Sequence, residues 1–323
     1  MARGRVRAKK RRVSDAASTA ISARTRFAAV YGHPIRHSAS PAMQNAGLEA
    51  LGLDWRYLAF DVRPEELKPA LDGARAMRFI GLNLTVPHKL LMHDLVDELD
   101  ETARTWGAVN TVRFEARNAA GEWTPLGAFE ELPETDAILA RGFNTDADAI
   151  IRALREDVAV EPRGARVLLL GAGGAGRTAA LRLATEGVAK LWLVNRTREK
   201  AERVATEIRE RQPGVAVEVG HPREPVDLLL NATSLGLRPE DGSPLDANAF
   251  PVSEATAVYD MIYRPAETPL LRTAREAGCR VANGLGMLLY QGTKALEIWT
   301  GRPAPVAVMR RALEANIYGR AAP

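Results

Sequence analysis

A short apolar strand that runs directly into a glycine-rich turn is the feature that most constrains how this chain can fold. Residues 166–170 read RVLLL, and Gly171, Gly173 and Gly176 follow in the spacing G-x-G-x-x-G before the helical stretch Arg177–Glu186. This order brings a helix N-terminus and free backbone N–H groups to one point, which suits the pyrophosphate of a dinucleotide. The pattern therefore predicts a dinucleotide-binding α/β domain. The alternative is a glycine-rich turn between a strand and a helix that binds no ligand.

The next strand, Leu191–Val194, ends where an NAD site carries an acidic residue for the ribose. Asn195 stands there, 19 residues after Gly176, and Arg196 and Arg198 follow it. A carboxylate would repel a 2′-phosphate, whereas a guanidinium group can bind one with two hydrogen bonds. The site is therefore expected to prefer NADP over NAD. The same cations are also typical of the solvated start of a helix.

The rest of the chain also alternates strands with helices, which predicts a largely parallel, covered sheet. The expected strands are 27–31, 55–62 and 79–86, and the expected helices are 40–51, 64–77 and a stretch after Pro87. The segment Arg113–Arg141 contains six acids and breaks this rhythm, so it is predicted as a long decorated hairpin or loop. Residues 286–315 are predicted to be mostly helical, with a break at Pro303–Pro305.

The positive charge of the chain is concentrated at its beginning. Residues 1–12 hold seven of the 44 basic residues, and without them 37 basic residues stand against 40 acidic ones. The body is therefore near neutral and gives no reason to expect nucleic acid as a partner. Residues 1–26 are expected to be a disordered extension that catalysis does not need. A transit peptide and a basic arm for nucleic acid or anionic lipid remain alternatives.

Three further features narrow the class of protein. Cys279 is the single cysteine, so an intramolecular disulfide is impossible and a reducing cytoplasm suits the chain. The apolar runs are far shorter than the roughly 18 residues that cross a bilayer, so no membrane segment is expected. His88 and His93 are five residues apart with no third ligand in sight, so no metal site is expected.

Ser38 and Ser40 place two hydroxyl groups at the start of a predicted helix, with Ser40 as the expected N-cap and Pro41 at the first helical position. Hydroxyl donors and free backbone N–H groups together make a small site for a carboxylate or phosphate. A plain helix cap is the alternative.

The segment 83–89 is more unusual. Alternation along the predicted strand puts Asn83 and Thr85 on one face, and Pro87 places Lys89 in the first turn of a helix. A cation is electrostatically disfavoured at that end of a helix, so Lys89 is expected to have a function. Proton transfer in the interconversion of an alcohol and a ketone would suit it. A surface lysine without a function is the alternative.

Asp146 and Asp148 lie in the first turn of a helix that is predicted to start at Asn144–Asp146. Carboxylates stabilise that end of a helix on structural grounds alone. Spacing therefore does not distinguish a catalytic Asp146 from a structural one.

Taken together, these motifs resemble the shikimate dehydrogenases, which reduce 3-dehydroshikimate to shikimate with NADPH in aromatic amino acid biosynthesis. Several separate motifs in family order, from about residue 27 to the C-terminus, are more specific than the glycine motif alone. The matching segments are 31–41, 83–89, 108–111, 144–146, 171–176, 195–197, 231–234, 259–263 and 283–291. The resemblance implies two α/β domains with a cleft between them.

The resemblance also implies a role for each matched residue. Lys89 and Asp146 match the catalytic pair, with Lys89 as the proton donor and Asp146 as the group that orients it. The residues implied to bind substrate are Ser38, Ser40, Asn83, Thr85, Asn110, Tyr263 and Gln291. Those implied to bind NADP are Gly171, Ala172, Gly173, Gly174, Ala175, Asn195, Arg196, Thr197, Arg198, Lys200, Thr233, Met261 and Gly284.

The implied organisation is an extension (1–26), a substrate-binding domain (27–145), a Rossmann-type NADP-binding domain (146–284) and C-terminal helices (285–323) that return to the substrate domain. The sequence is compatible with a homodimer but does not show whether one forms. The chain departs from the family at Ala147, where a glycine is usual, in the long segment between Thr111 and Asn144, and in the basic extension.

Two other functions stay open at this point. The first is a dehydrogenase of the same family that acts on quinate or a related cyclitol acid and uses either NADP or NAD. The two serines and Arg196 argue against it. A non-catalytic ligand sensor with a nucleic-acid-binding tail is the second. Lys89 and Asp146 argue against a sensor, because it needs no proton donor.

Overall fold

The computed structural model describes residues 21–135, 137–238 and 240–319, which form two β-sheets with helices packed around them. The strands are β1 (Arg26–Gly32), β2 (Trp55–Asp61), β3 (Gly81–Leu84), β4 (Glu98–Leu99), β5 (Thr111–Arg117), β6 (Trp123–Pro125), β7 (Ile138–Phe143), β8 (Arg166–Leu170), β9 (Lys190–Val194), β10 (Ala216–Val219), β11 (Val226–Asn231), β12 (Ala255–Asp260) and β13 (Arg280–Asn283). The helices are α1 (Ser40–Ala50), α2 (Leu67–Ala76), α3 (Lys89–His93), α4 (Glu101–Trp106), α5 (Asp146–Val158), α6 (Gly174–Glu186), α7 (Arg198–Arg211), α8 (Pro269–Glu276), α9 (Leu285–Thr300) and α10 (Val306–Tyr318). Short 3₁₀ turns lie at Pro64–Glu66, Leu126–Ala128 and Val252–Glu254.

The second sheet has the strand order β10-β9-β8-β11-β12-β13, and all its pairs are parallel. This is the doubly wound order of dinucleotide-binding folds, in which the chain reverses direction across the sheet between its first and fourth strands. Here that point lies between β8 and β11, so the loops after these two strands diverge and leave a crevice. The predicted Rossmann-type architecture of this half is confirmed. Helix α6 begins at Gly174, earlier than the stretch predicted from Arg177.

The first sheet is mixed. The predicted parallel pairing is confirmed for the expected strands at 27–31, 55–62 and 79–86, and the antiparallel pairs all involve β5. The order of this sheet is β2-β1-β3-β5-β7-β4, with β6 paired to β5. Strands β2, β1 and β3 are parallel, but β5 is antiparallel to β3, β6 and β7. The segment after Thr111 was predicted as a decorated hairpin or loop. It forms a hairpin, and antiparallel strands need no crossover helix between them.

Several element ends differ from the prediction. Ala39, not Ser40, is the N-cap of α1, so Ser40 is already a helical residue. Strand β3 ends at Leu84, before the predicted Val86, and α3 begins at Lys89 after His88 as its N-cap. The chain turns between Leu84 and His88, where the backbone N–H of His88 donates to the carbonyl of Thr85 (2.8 Å). Lys89 is thus in the first turn of a helix, as predicted.

The predicted extension falls largely on residues 1–20, which lie outside the described residues. The described chain already makes contacts before Phe27, the expected start of the fold. Strand β1 begins at Arg26, and the buried Thr25 donates from Oγ1 to Asp54 Oδ1 (2.9 Å).

The last two helices pack against the first half of the chain. Trp299 of α9 is 1% exposed, and its Nε1 donates to the backbone oxygen of Val112 in β5 (2.9 Å). Gln44 of α1 donates to the backbone oxygen of Gly292 in α9 (2.9 Å), and α10 also packs on α1. The break at Pro303–Pro305 separates α9 from α10, as predicted. Helices α9 and α5 pack along each other, which joins the two halves.

Among the described residues, no helix combines the length and apolar character that crossing a bilayer would require.

Candidate active site

A cleft of about 720 Å³ opens where the two halves of the protein face each other. Its walls come from the ends of β1 and β3, the starts of α1, α3 and α5, the loops after β11 and β12, and α9. The predicted site residues that line it are Ser38, Ser40, Asn83, Thr85, Lys89, Asp146, Ala175, Thr233, Met261, Tyr263, Gly284 and Gln291. Residues implied to bind substrate and residues implied to bind a dinucleotide therefore share one cavity.

Lys89 and Asp146 form an ion pair at the wall of this cleft. Lys89 Nζ donates to Asp146 Oδ2 at 2.6 Å, although the two residues start different helices 57 positions apart. The side chains are 34% and 14% exposed, so the pair is partly desolvated yet open to the cleft. A carboxylate beside an ammonium group offsets the unfavourable position of that cation at a helix N-terminus. The pair can therefore hold a proton at Nζ and point it into the cleft.

Asn144 fixes the position of Asp146. Asn144 is buried, and its Oδ1 accepts from the backbone N–H groups of Asp146 (3.1 Å) and Ala147 (3.3 Å). Its Nδ2 donates to the backbone oxygen of Ala108 (3.1 Å). These bonds cap α5, which begins at Asp146 as predicted, although Ala147 replaces the glycine usual in the family. Ala147 is itself buried within the helix.

Asn110 does not reach the wall of the cleft. It is 1% exposed, its Nδ2 donates to Thr145 Oγ1 (2.9 Å), and its Oδ1 accepts from the backbone N–H of Thr145 (2.8 Å). Asn110 therefore holds the residue before Asp146 in place. Its predicted contact with a substrate stays a prediction.

Ser38 and Ser40 lie together at the start of α1. The backbone N–H of Ser40 donates to Ser38 Oγ (3.4 Å), and both half-buried side chains line the cleft. The early N–H groups of a helix lack partners within the helix, so this corner favours an anion such as a carboxylate. Tyr263 and Gln291 line the same cavity from the second half and from α9. Burial raises the pKa of Tyr263, which keeps its hydroxyl group protonated and able to donate.

The glycine-rich turn packs closely against itself and against the loop after β11. Gly171 has a φ of 104°, and a Cβ on Gly176 would lie 2.1 Å from the Gly171 oxygen, so neither position accepts a side chain without strain. Gly173 is the N-cap of α6, and Gly173, Gly174 and Ala175 are exposed. Exposed backbone at a helix N-terminus is the arrangement that binds a pyrophosphate.

The predicted phosphate-reading segment follows directly from this turn. Asn195 Oδ1 accepts from the backbone N–H of Ala172 (2.9 Å), which fixes the end of β9 against the turn. Arg196, Thr197, Arg198 and Lys200 are exposed. Arg198 pairs with Glu202 (2.8 Å) one turn along α7. The segment thus presents cations beside the turn. Asn195, an uncharged amide, stands where an NAD site would carry a carboxylate.

A buried amide–carboxyl pair shapes the loops after β11 and β12. Asn231 Nδ2 donates to Asp260 Oδ1 (2.9 Å), and both residues are 0% exposed. Asn231 Oδ1 accepts from Thr233 N (3.0 Å) and Oγ1 (2.8 Å), while Asp260 accepts from the backbone N–H of Ile262 (3.0 Å). Burial raises the pKa of Asp260, and these hydrogen bonds lower it in part. The pair therefore holds Thr233 and Ile262 in position at the cleft.

The structure also brings residues to the cleft that the motifs did not predict. Leu237, Ile262, Met287 and Leu288 form an apolar part of its wall. Tyr57 lies behind Asn83, and its hydroxyl group donates to Asn83 Oδ1 (2.7 Å). The alternation along β2 could have indicated that Tyr57 is buried, but nothing in the sequence indicates which partner it meets.

The close contact at Gly176 gives a testable prediction. Gly176→Ala is expected to lower the melting temperature clearly, because its Cβ would overlap the backbone oxygen of Gly171. Gly174→Ala is the matched control in the same turn, where a Cβ meets no atom within 4 Å. Differential scanning calorimetry of the two variants and the wild type checks this. Equal melting temperatures for all three proteins would contradict the described packing of the turn.

Three family models match this chain in order. They are described as the shikimate dehydrogenase substrate binding domain (residues 30–112), shikimate / quinate 5-dehydrogenase (154–234) and the shikimate 5′-dehydrogenase C-terminal domain (284–314). The shikimate dehydrogenase (NADP(+)) of Methanopyrus kandleri is 42% identical over 303 residues, which cover 92% of this chain and 97% of that protein.

Solved structures give the same result. A shikimate dehydrogenase in complex with NADP+ matches with a TM-score of 0.77 and 35% identity, over 92% of this chain and 98% of that one. Shikimate 5-dehydrogenase from Thermus thermophilus, in complex with NADP(H) and shikimate, matches with a TM-score of 0.74 and 35% identity, over 90% and 99%. The resemblance expected from the motifs is therefore confirmed.

Proposed function

This chain belongs to the shikimate dehydrogenase family, and we propose that it catalyses the reversible NADPH-dependent reduction of 3-dehydroshikimate to shikimate. One observation carries the proposal. The 2.6 Å pair of Lys89 Nζ and Asp146 Oδ2 lies in a cavity that also contains an anion corner at Ser38 and Ser40. A proton donor and a carboxylate anchor in one cleft are what this substrate requires. A location in the cytoplasm, expected from the single Cys279, is part of the proposal.

The residues of the cleft divide the work of substrate binding. Ser38, Ser40 and Tyr263 bind the substrate carboxylate by donating hydrogen bonds. Asn83, Thr85 and Gln291 bind the other polar groups of the ring. Holding the carboxylate at one end and the hydroxyl groups along the wall orients the ring carbonyl toward Lys89, and such positioning can supply a large part of the rate.

The residues around the glycine-rich turn fit a dinucleotide. Glycines stand where a side chain would collide, and the N-terminus of α6 offers exposed N–H groups. Residues 171–175 hold the pyrophosphate, and Thr233, Met261 and Gly284 line the rest of the cofactor cleft. Asn195, Thr197 and the cations Arg196, Arg198 and Lys200 bind the adenosine phosphate, which favours NADP. The bound cofactor supplies the hydride that converts the ring ketone into an alcohol.

Lys89 completes the reaction by proton transfer. Its ammonium group donates a proton to the oxygen on which negative charge develops, and the resulting amine is reprotonated from solvent. In the reverse direction the amine accepts the proton of the alcohol. Asp146 orients Nζ, because the carboxylate lies at hydrogen-bond distance from it.

The proposal includes the division of the chain into domains at about residues 27, 146 and 285. It is supported by the separate sheets, by the start of α5 at Asp146 and by the packing of α9 and α10 on the first half. A homodimer, with which the sequence is compatible, stays a prediction.

Steady-state kinetics with two substrates and two cofactors test the function. The oxidation of shikimate and of quinate is measured, each with NADP+ and with NAD+. We expect the highest kcat/KM for shikimate with NADP+. A higher kcat/KM for quinate with NAD+ would assign the enzyme to the quinate branch of the family, and no turnover of either substrate would overturn the proposal.

Replacement of the proposed proton donor gives a second prediction. Lys89→Ala is expected to lower kcat by roughly 100- to 10,000-fold while substrate binding weakens only modestly, because the variant has no side chain positioned to donate the proton. Lys68→Ala is the matched control, since Lys68 pairs with Asp72 (2.5 Å) on α2, away from the cleft. A Lys89→Ala enzyme that keeps more than about a third of the wild-type kcat would contradict the assignment.

The cofactor preference gives a third prediction. Arg196→Ala should raise KM for NADP+ by about 10- to 150-fold and leave KM for NAD+ nearly unchanged, because a charge-assisted contact to the 2′-phosphate is lost. Arg203→Ala, at an exposed position further along α7, serves as the control. Equal losses with both cofactors would indicate that Arg196 supports the fold and does not bind the phosphate.

A further inference from the structure

Tyr57 is a buried tyrosine directly behind the cleft, and the proposed reaction does not use it. It is 1% exposed on β2, and its ring packs against Trp299 with the ring centroids 6.0 Å apart. Its hydroxyl group donates to Asn83 Oδ1 at 2.7 Å, the shortest of the three hydrogen bonds of the Asn83 side chain. Asn83 itself is 6% exposed and lines the cleft.

The other partners of Asn83 determine which way its amide faces. Asn83 Nδ2 donates to the backbone oxygen of Asn110 (3.2 Å) and to Thr111 Oγ1 (3.0 Å). A backbone carbonyl can only accept a hydrogen bond, so the amide nitrogen must face it. Both amide hydrogens are therefore used inside the protein, and Oδ1 faces Tyr57. What Asn83 retains for a ligand is the second lone pair of Oδ1.

The position of the Tyr57 hydroxyl is in turn fixed from α1. Asn45 Oδ1 accepts from the backbone N–H of Tyr57 (2.9 Å), and Asn45 Nδ2 donates to the Tyr57 carbonyl (2.8 Å) and to that of Pro41 (2.8 Å). The Ser40 side chain also forms a hydrogen bond with the Tyr57 hydroxyl group. Burial raises the pKa of Tyr57 well above its usual value, and this hydrogen bond lowers it in part. Tyr57 thus links the first turn of α1 to Asn83.

We propose that Tyr57 is a positioning residue that fixes the Asn83 amide, so that Asn83 presents only a hydrogen-bond acceptor to the cleft and selects a ring hydroxyl that donates. The inference rests on the proposed function, because it names a contact of the shikimate ring. It assigns specificity to a residue that does not touch the substrate. An analogue with no hydroxyl group at that ring position cannot use the acceptor, and the fixed amide cannot turn to offer its N–H groups.

The test compares Tyr57→Phe with wild type on shikimate and on its 4-deoxy and 5-deoxy analogues. The variant keeps the ring against Trp299 and loses the hydroxyl group, and with it the hydrogen bonds to Asn83 and to the Ser40 side chain. KM for shikimate should rise about 3- to 10-fold, in line with the loss of one neutral hydrogen bond. The kcat/KM ratio of shikimate over the more strongly rejected deoxy analogue should fall by the same factor. KM for NADP+ should not change.

Tyr31→Phe is the matched control, because Tyr31 is a buried tyrosine on the neighbouring β1 whose hydroxyl bonds to the Ala70 oxygen (3.4 Å). It should leave the ratio unchanged. Thr111→Val is the second variant, and it frees the amide from its other side by removing the acceptor of one Nδ2 hydrogen. It should lower the same ratio, which keeps the proposal testable if Tyr57→Phe does not fold.

An unchanged ratio in the folded Tyr57→Phe or Thr111→Val enzyme would overturn the inference. Equal rises of KM for shikimate, the deoxy analogues and NADP+ would also overturn it, since they indicate a general structural loss. Either result leaves the proposed function standing as long as the wild-type enzyme oxidises shikimate. A wild-type enzyme that does not oxidise shikimate would overturn the function, and this inference with it.

Discussion

Hydrogen bonds from asparagine side chains to the backbone hold the loops of the cleft in place, and the geometry of the site depends on them. An amide carries both a donor and an acceptor, so one side chain can satisfy two backbone groups that lie in different segments. Asn45 joins α1 to β2, Asn144 joins the start of α5 to Ala108, Asn195 joins β9 to the glycine-rich turn, and Asn231 joins the loops after β11 and β12. Because most of these amides are buried or half-buried, losing one partner would leave the other unpaired at considerable cost. These bonds therefore restrain the loops that carry the candidate reacting groups.

The two halves of the protein use different sheets for different tasks. The parallel sheet of the second half leaves a crevice at the point where its strand order reverses, and the dinucleotide turn opens there. The mixed sheet of the first half brings the ends of β1 and β3 beside the start of β5. Asn83 and Thr111 become direct neighbours through that antiparallel pairing. The second half therefore carries the proposed phosphate site, and the first half carries a wall of paired polar side chains that suits a small ring with hydroxyl groups.

The sequence was sufficient to predict the Rossmann-type half, the family and the pairing of Lys89 with Asp146, because each depends on a local motif or on a motif order. It was sufficient to predict a hairpin or loop after Thr111, but not that β5 pairs antiparallel with β3, because that pairing joins segments about 28 residues apart that share no local pattern. The position of Asn110 behind the wall was also not predictable, because it depends on the distance between β5 and the start of α5. The contact of Tyr57 was not predictable for the same reason: its partner Asn83 lies 26 residues away on another strand, and no periodicity encodes that contact.

The return of α9 and α10 to α1 has a consequence for how the chain matures on the ribosome. The face of α1 that carries Met43, Gln44 and Gly47 is covered by residues of α9 and α10 such as Gly292, Leu296 and Met309. Those residues are translated some 250 positions after α1, by which time every strand of the parallel sheet has already been translated. The half that begins first is therefore the half that is completed last. Until then its nascent form exposes an apolar helix face, which is the kind of surface that chaperones bind during synthesis.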